Sequence, residues 1–167
     1  MSDIELDWKT CSGLRAVCII FKRDDGSRSH RNGYVEVPEG HPLFGVEYNQ
    51  VCLAIPRGHM DQQTLGKKSA ISVLCSSVGA IAGESVRRSP DIAFDVHGGL
   101  TFSGSGTKKY PVESTGWWFG FDCNHCDDGL IEPSRYDEFR KSNPVRSLEY
   151  VKQECESFAQ QISNLFK

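Results

Sequence analysis

Residues 116–129 read GWWFGFDCNHCDDG, and residues 95–109 read DVHGGLTFSGSGTKK. These two stretches hold the side chains best able to do chemistry. Cys123 and Cys126 have the C-x2-C spacing with which two thiolates share one ion. The chain has no second C-x2-C and no H-x3-5-H to complete a structural tetrahedral set. Asp95-x-His97 and Asp122-x-x-His125, with Asp127 and Asp128 close by, would supply a mixed nitrogen and oxygen set. Cys123 and His125 imitate a thiol–imidazole pair, but two residues apart on an extended chain they point the same way. H-E-x-x-H, G-x-S-x-G and GxxxxGK[ST] do not occur. No catalytic residue, cofactor or resident metal is therefore assigned from the sequence.

The elements that must position these groups follow from periodicity. LRAVCIIFK (14–22) is rich in β-branched residues and stops at Asp25-Gly26, which predicts a strand and a turn. GYVEVP (33–38) alternates, as the second strand of an antiparallel pair does. VCLAIP (51–56) and IAFDV (92–96) are expected as further short strands. Gly98-Gly99 is expected to turn IAFDV into a hairpin with LTFSG. In WWFGFD, Trp117, Phe119, Phe121, Cys123 and His125 share one face of a strand, while Trp118, Gly120, Asp122 and Asn124 share the other. Helical spacing between residues 64 and 88 predicts a helix. From Leu148 on, Leu148, Val151, Cys155, Phe158, Ile162 and Leu165 form one apolar stripe, with Asn143-Pro144 as cap and first-turn proline. The stripe exceeds what a small sheet needs, so part of it is expected to cover a second copy of the chain. The fold class is α+β: one domain over 1–167, an antiparallel sheet of about five strands packed by a long C-terminal helix, with one additional helix.

With 167 residues the chain can bury a core without staples. A formal charge of −3 argues against bulk DNA or RNA binding. No apolar run approaches the ~20 residues of a membrane span, and MSDIELDWK lacks the pattern of a secretory signal. A cytoplasmic location is expected, where the odd set of seven cysteines need not pair. Cys11, Cys18, Cys52, Cys75, Cys123 and Cys155 adjoin apolar stretches and read as small buried hydrophobes.

GYVEVPEGHPLFGVEYNQV, DVHGGLTFSG, WWFGFDCNHCDD and RSLEYVKQECESFAQQI together resemble blocks of a family of small proteins encoded in bacteriophage genomes. The blocks cover about half the chain, in the family's order. Cys123 and His125 match that pattern and Cys126 departs from it. The stretch 60–90 is longer than the pattern, as an insertion or lid would be. Polar or aromatic positions that match are Tyr34, His41, Tyr48, Asp95, His97, Thr101, Trp118, Asp122 and His125. The resemblance implies a phage protein acting in the host cytoplasm on host defence. The function expected is binding and sequestration, without cleavage, of a nucleotide-derived immune signal in a pocket lined by those nine residues. Trp118 would stack a base, carboxylates would accept from ribose or base, and lysine or backbone N–H groups would hold phosphate. The alternatives are a small-molecule hydrolase using His97 and His125 in acid–base or metal chemistry, and an inhibitor that binds a host protein.

Overall fold

Five stretches, most of them with apolar or aromatic residues at every second position, pair into one sheet. The computed structural model describes residues 2–56 and 88–167. The strands are β1 (Ser2–Lys9), β2 (Arg15–Lys22), β3 (Arg28–Val37), β4 (Phe102–Ser105) and β5 (Trp117–Asp122). They lie in the order β1-β2-β3-β5-β4 and every pair is antiparallel. A short helix, α1 (Pro90–Ala93), precedes β4, and the long helix α2 (Leu148–Leu165) closes the chain. Asp25-Gly26 does turn β2 into β3, with Gly26 at a φ of +82°.

Alternation assigns the faces. Ala16, Cys18, Val35, Val37, Phe119 and Phe121 point to one side of the sheet and are fully or almost fully buried. There they meet Val151, Cys155, Phe158, Ala159 and Ile162 of α2, all at 0 % exposure. Burial of each large side chain contributes about 1.5–3 kcal/mol, which attaches α2 to the sheet. Gly33 permits the close approach: a Cβ there would lie 2.5 Å from Phe121 Cζ and 2.8 Å from Cys155 Sγ. On the other side Val17, Ile19, Tyr34 and Trp118 form a second, smaller core under Phe102, Tyr110 and Val112. Trp117 and Trp118 therefore serve opposite faces, as adjacent strand positions must.

All six residues of the C-terminal stripe, Leu148 and Leu165 included, pack into the chain's own core. Leu148 and Leu165, at the two ends of the stripe, are only partly buried there. The helix is capped not by Asn143-Pro144 but by Ser147, whose Oγ accepts from Tyr150 N at 3.1 Å. Residues 144–146 stay outside the helix, where Gly129 N donates to Pro144 O at 2.9 Å and Gly129 bridges Val145.

Three local expectations are corrected. Residues 51–56 form turns, with Cys52 and Ile55 inward and Leu53 76 % exposed. That three-residue spacing belongs to a turn, whereas a strand would have placed Leu53 and Ile55 on one face. Residues 92–96 are not a strand: Pro90 starts the single turn of α1, and Ile92, Ala93, Phe94 and Val96 are all buried. LTFSG accordingly has no partner there, and Phe102–Ser105 pairs with Trp117–Gly120. The N-terminal strand β1 was not anticipated, although Ile4, Leu6 and Trp8 alternate with acids. A register shift between Ile4 and Leu6 turns Leu6 and Trp8 toward the main core and leaves Ile4 54 % exposed. Cys18, Cys52, Cys123 and Cys155 are buried as expected, but Cys11 is exposed. The helix expected over 64–88, apart from its last residue, and Cys75 lie outside the described residues. Among the described residues no helix is long and apolar enough to cross a membrane.

Candidate functional site

Beyond β5 the chain folds into a tight loop, Asp122–Gly129, because its own acids cap its backbone. Asp122 Oδ1 accepts from Asn124 N at 3.1 Å, and Asp128 Oδ2 accepts from His125 N at 3.0 Å. Arg140 then binds three oxygens of the loop: Asp128 O at 2.8 Å, Asn124 Oδ1 at 2.8 Å and His125 O at 3.0 Å. Asn143 Nδ2 donates to Cys126 O at 2.8 Å. Carbonyls that a loop would leave to water are thus held by the following segment.

A second segment, Asp95–Gly99, is laid along α2 by that helix's polar flank. Gln161 accepts from Asp95 N at 2.8 Å and donates to Asp95 O at 2.7 Å, while Glu154 accepts from His97 N at 2.9 Å. Gly98, at a φ of +67°, lets the imidazole of His125 lie against the backbone. A Cβ on Gly98 would sit 1.9 Å from His125 Cε1.

These constraints converge on Asp128, which is 0 % exposed. Its Oδ1 accepts from Arg146 Nε at 2.6 Å. Its Oδ2 lies 2.9 Å from His97 Nε2 and 3.3 Å from His125 Nδ1. A carboxylate only accepts, so His97 carries its proton on Nε2 and presents Nδ1 to the Tyr150 hydroxyl, 3.0 Å away. His125 Nδ1 is buried and, though close to Oδ2, has no aligned hydrogen-bond partner among the described residues. The two imidazole rings meet edge to face with centroids 5.2 Å apart, and the Arg146 guanidinium lies 5.0 Å over the Tyr150 ring.

The electrostatics follow from this packing. Burial works against the charge on Asp128, but its close contacts with His125, His97 and Arg146 outweigh it and hold the carboxyl well below its usual range. Asp128 is an anion at neutral pH. Its contact with His125 is the largest cause of that imidazole's raised pKa. Burial pushes the Tyr150 hydroxyl up to about 12, so it keeps its proton. The centre offers an ionised carboxylate, two imidazoles, a phenol and a guanidinium from chain positions 97, 125, 128, 146 and 150. Such a set can hold a polar ligand, relay a proton or coordinate a cation.

The nine residues expected to line one pocket fall into separate places. His97 and His125 meet at Asp128. Thr101 and Asp122 pair nearby, Thr101 Oγ1 donating to Asp122 Oδ2 at 3.0 Å. Asp95 is tied to α2 through its backbone. Tyr34 and Trp118 sit in the core on the far face of the sheet at 2 % and 0 % exposure. There Tyr34 OH bonds Tyr110 OH at 2.6 Å and Trp118 Nε1 donates to Ser114 Oγ at 2.9 Å. His41 packs edge-on against Phe166 with centroids 5.1 Å apart, its pKa lowered by burial. Tyr48 N donates to Ser103 Oγ at 2.9 Å. Trp118 is thus an interior side chain with no face to offer a base.

Tyr150 and Arg146 were missed, and Asp128 was noted only as a neighbour of His125. Tyr150, Glu154 and Gln161 do repeat at four and seven along the helix, a polar flank beside the apolar stripe that periodicity alone makes visible. Arg146 carries no local signal. No protein-family model matches this chain, and comparison with curated proteins and with solved structures returns no match either.

Proposed function

We propose that this protein binds a small polar ligand at the centre built on Asp128 and sequesters it intact, a nucleotide-derived host signal being the chemical class implied by the phage-like sequence blocks. One observation carries the reading: polar atoms of His97, His125 and Asp128, from two distant segments, come within 4.8 Å of one another beside Tyr150 and Arg146. The His125 side chain is 28 % exposed and that of Arg146 22 %, against 9 % for His97. The first two present donors to a ligand while His97 and Asp128 orient them from within. Phosphate or ribose oxygens suit such donors. Trp118 is enclosed and the Arg146 guanidinium lies over the Tyr150 ring, so the partly exposed ring of His125 is the one offered to a base.

A hydrolytic reading is favoured by one further contact set, the Tyr150–His97–Asp128 chain of hydrogen bonds, which has the form of a general-base relay. The two readings separate in a single experiment. Purified protein is incubated with a panel of cyclic and linear nucleotides, binding is followed by calorimetry, and the protein is then denatured and its ligand recovered. Intact nucleotide supports sequestration and altered nucleotide supports turnover. His125→Ala is expected to weaken binding about tenfold or more, the value of one lost charge-assisted hydrogen bond. Wild-type affinity in that variant would remove the ligand from this centre.

A further inference from the structure

The arrangement around Asp128 has a feature that ligand binding does not require. His97 Nε2, His125 Nδ1 and Asp128 Oδ2 are donor atoms of three different side chains, and they lie within 4.8 Å of one another. We propose that these three atoms form a site for a divalent first-row transition ion of the zinc class, which narrows the mixed nitrogen and oxygen set offered by the sequence to His97, His125 and Asp128.

Geometry is the first support. Zinc binds imidazole nitrogen and carboxylate oxygen at about 2.0–2.2 Å, so neighbouring ligand atoms of a tetrahedral site lie about 3.4 Å apart. His125 Nδ1 and Asp128 Oδ2 are 3.3 Å apart, and His97 Nε2 is 2.9 Å from the same oxygen. All three atoms lie within 4.8 Å of one another. Admitting an ion requires the His97 edge to open by about half an ångström.

The second support is His125 Nδ1 itself. This buried atom has no aligned hydrogen-bond partner among the described residues, yet it lies 3.3 Å from an anionic oxygen. Leaving a buried polar atom unsatisfied costs on the order of 1–3 kcal/mol. A cation between Nδ1 and Oδ2 satisfies both atoms.

The surroundings hold the donors in place. Arg146 occupies Oδ1, which keeps Asp128 monodentate through Oδ2. The Tyr150 hydroxyl both donates and accepts. It can give its proton toward His97 Nδ1 in the metal-free tautomer, or accept from Nδ1–H once Nε2 is a ligand. Histidine ligands usually donate their second nitrogen to such a partner, which fixes ring and tautomer. Gly98 clears the room in which the His125 ring takes up this orientation. Two imidazoles and one carboxylate leave a fourth position for water or ligand, the pattern of catalytic rather than structural sites.

The test uses the full chain, stripped with a chelator, desalted and titrated with Zn²⁺ and Co²⁺ without any nucleotide, so its outcome is independent of the ligand-binding proposal. About one equivalent of either ion per chain is expected, with Co²⁺ giving a visible d–d absorption and no thiolate charge-transfer band. Asp128→Asn disturbs the loop, so the deciding variants are His125→Ala, on a partly exposed side chain, and Tyr150→Phe, both checked for native circular dichroism. His125→Ala should lose affinity by more than about 100-fold, and Tyr150→Phe, acting through His97, by about 10–100-fold. Cys126→Ser should bind as wild type. The proposal is overturned by substoichiometric binding in the wild type, by unchanged affinity in His125→Ala, or by loss of the ion in Cys126→Ser with a thiolate band in the parent.

Discussion

Asp128 shows how one side chain organises its neighbourhood. It has no exposure to solvent, yet it stays ionised because Arg146, His97 and the backbone of His125 all donate to it. Removing one partner of such a set strands the others. Asp128→Asn in metal-free protein should therefore lower unfolding stability by about 3 kcal/mol in a urea titration near neutral pH. His30 is the second residue with a measurable signature. It is 8 % exposed, stacks on Phe21 at 5.2 Å and contacts Ser29 Oγ at 2.9 Å. Burial is the largest cause of its lowered pKa; Arg140 and Arg23 add to it, while Asp122 and Asp128 oppose it. The folded state disfavours protonation there, so the unfolded chain takes up the proton first as pH falls. The contribution of His30 is complete above about pH 6.5, the unperturbed imidazole value, and declines below it. His30→Phe keeps the stack and removes the titration. Urea midpoints measured near pH 7.5 and near pH 5.5 should fall more in the wild type than in this variant. Equal losses in the two proteins would take His30 out of the pH response.

At the scale of elements, the contact between β3, β5 and α2 depends on a residue that has no side chain. Gly33 lies opposite Phe121 in the register, and Phe121 and Cys155 fill the space where a Cβ would go. Gly33→Ala should cost about 1–3 kcal/mol through overpacking. Phe158→Ala acts from the opposite direction. Its ring is 0 % exposed and meets Phe94 at 5.4 Å, so truncation should leave a cavity and cost about 3–5 kcal/mol. Thermal or urea unfolding of the pair distinguishes clash from cavity: a second, relieving Phe121→Leu change should recover part of the Gly33→Ala loss and none of the Phe158→Ala loss.

Across the whole molecule, the sheet has two buried faces of unequal size. The larger joins β2, β3, β5 and α2, while the smaller gathers Val17, Ile19, Tyr34 and Trp118 under the segment between β4 and β5. Both faces share the same strands, so they should melt together. Trp117→Phe leaves Trp118 as reporter of the smaller core, and Trp118→Phe leaves Trp117 as reporter of the larger, with Trp8 common to both. Within each variant, urea transitions followed by fluorescence and by far-ultraviolet circular dichroism should coincide, as a two-state domain requires. A fluorescence transition that precedes the loss of helix in the Trp117→Phe protein would show that the smaller core opens separately.

Period-two alternation over β2, β3 and β5, and the three-four spacing of α2, were legible because a residue's own neighbours decide which face it shows. The same rule correctly placed Trp117 and Trp118 on opposite faces. It failed at 51–56 and 92–96, where short apolar runs are ambiguous and burial came from turns and a proline-started helix. It also left β1 unread, though its alternation was present. For the candidate site, the sequence by itself determined the imidazoles, the acids and the glycine pair that lets one ring approach the backbone. Only the tertiary structure decided that Asp128 is the group they share, that Tyr150 and Arg146 belong with it, and that Tyr34 and Trp118 do not. The reason is distance along the chain: Asp128 meets His97 across 31 residues and Arg146 across 18, separations over which no local period carries information.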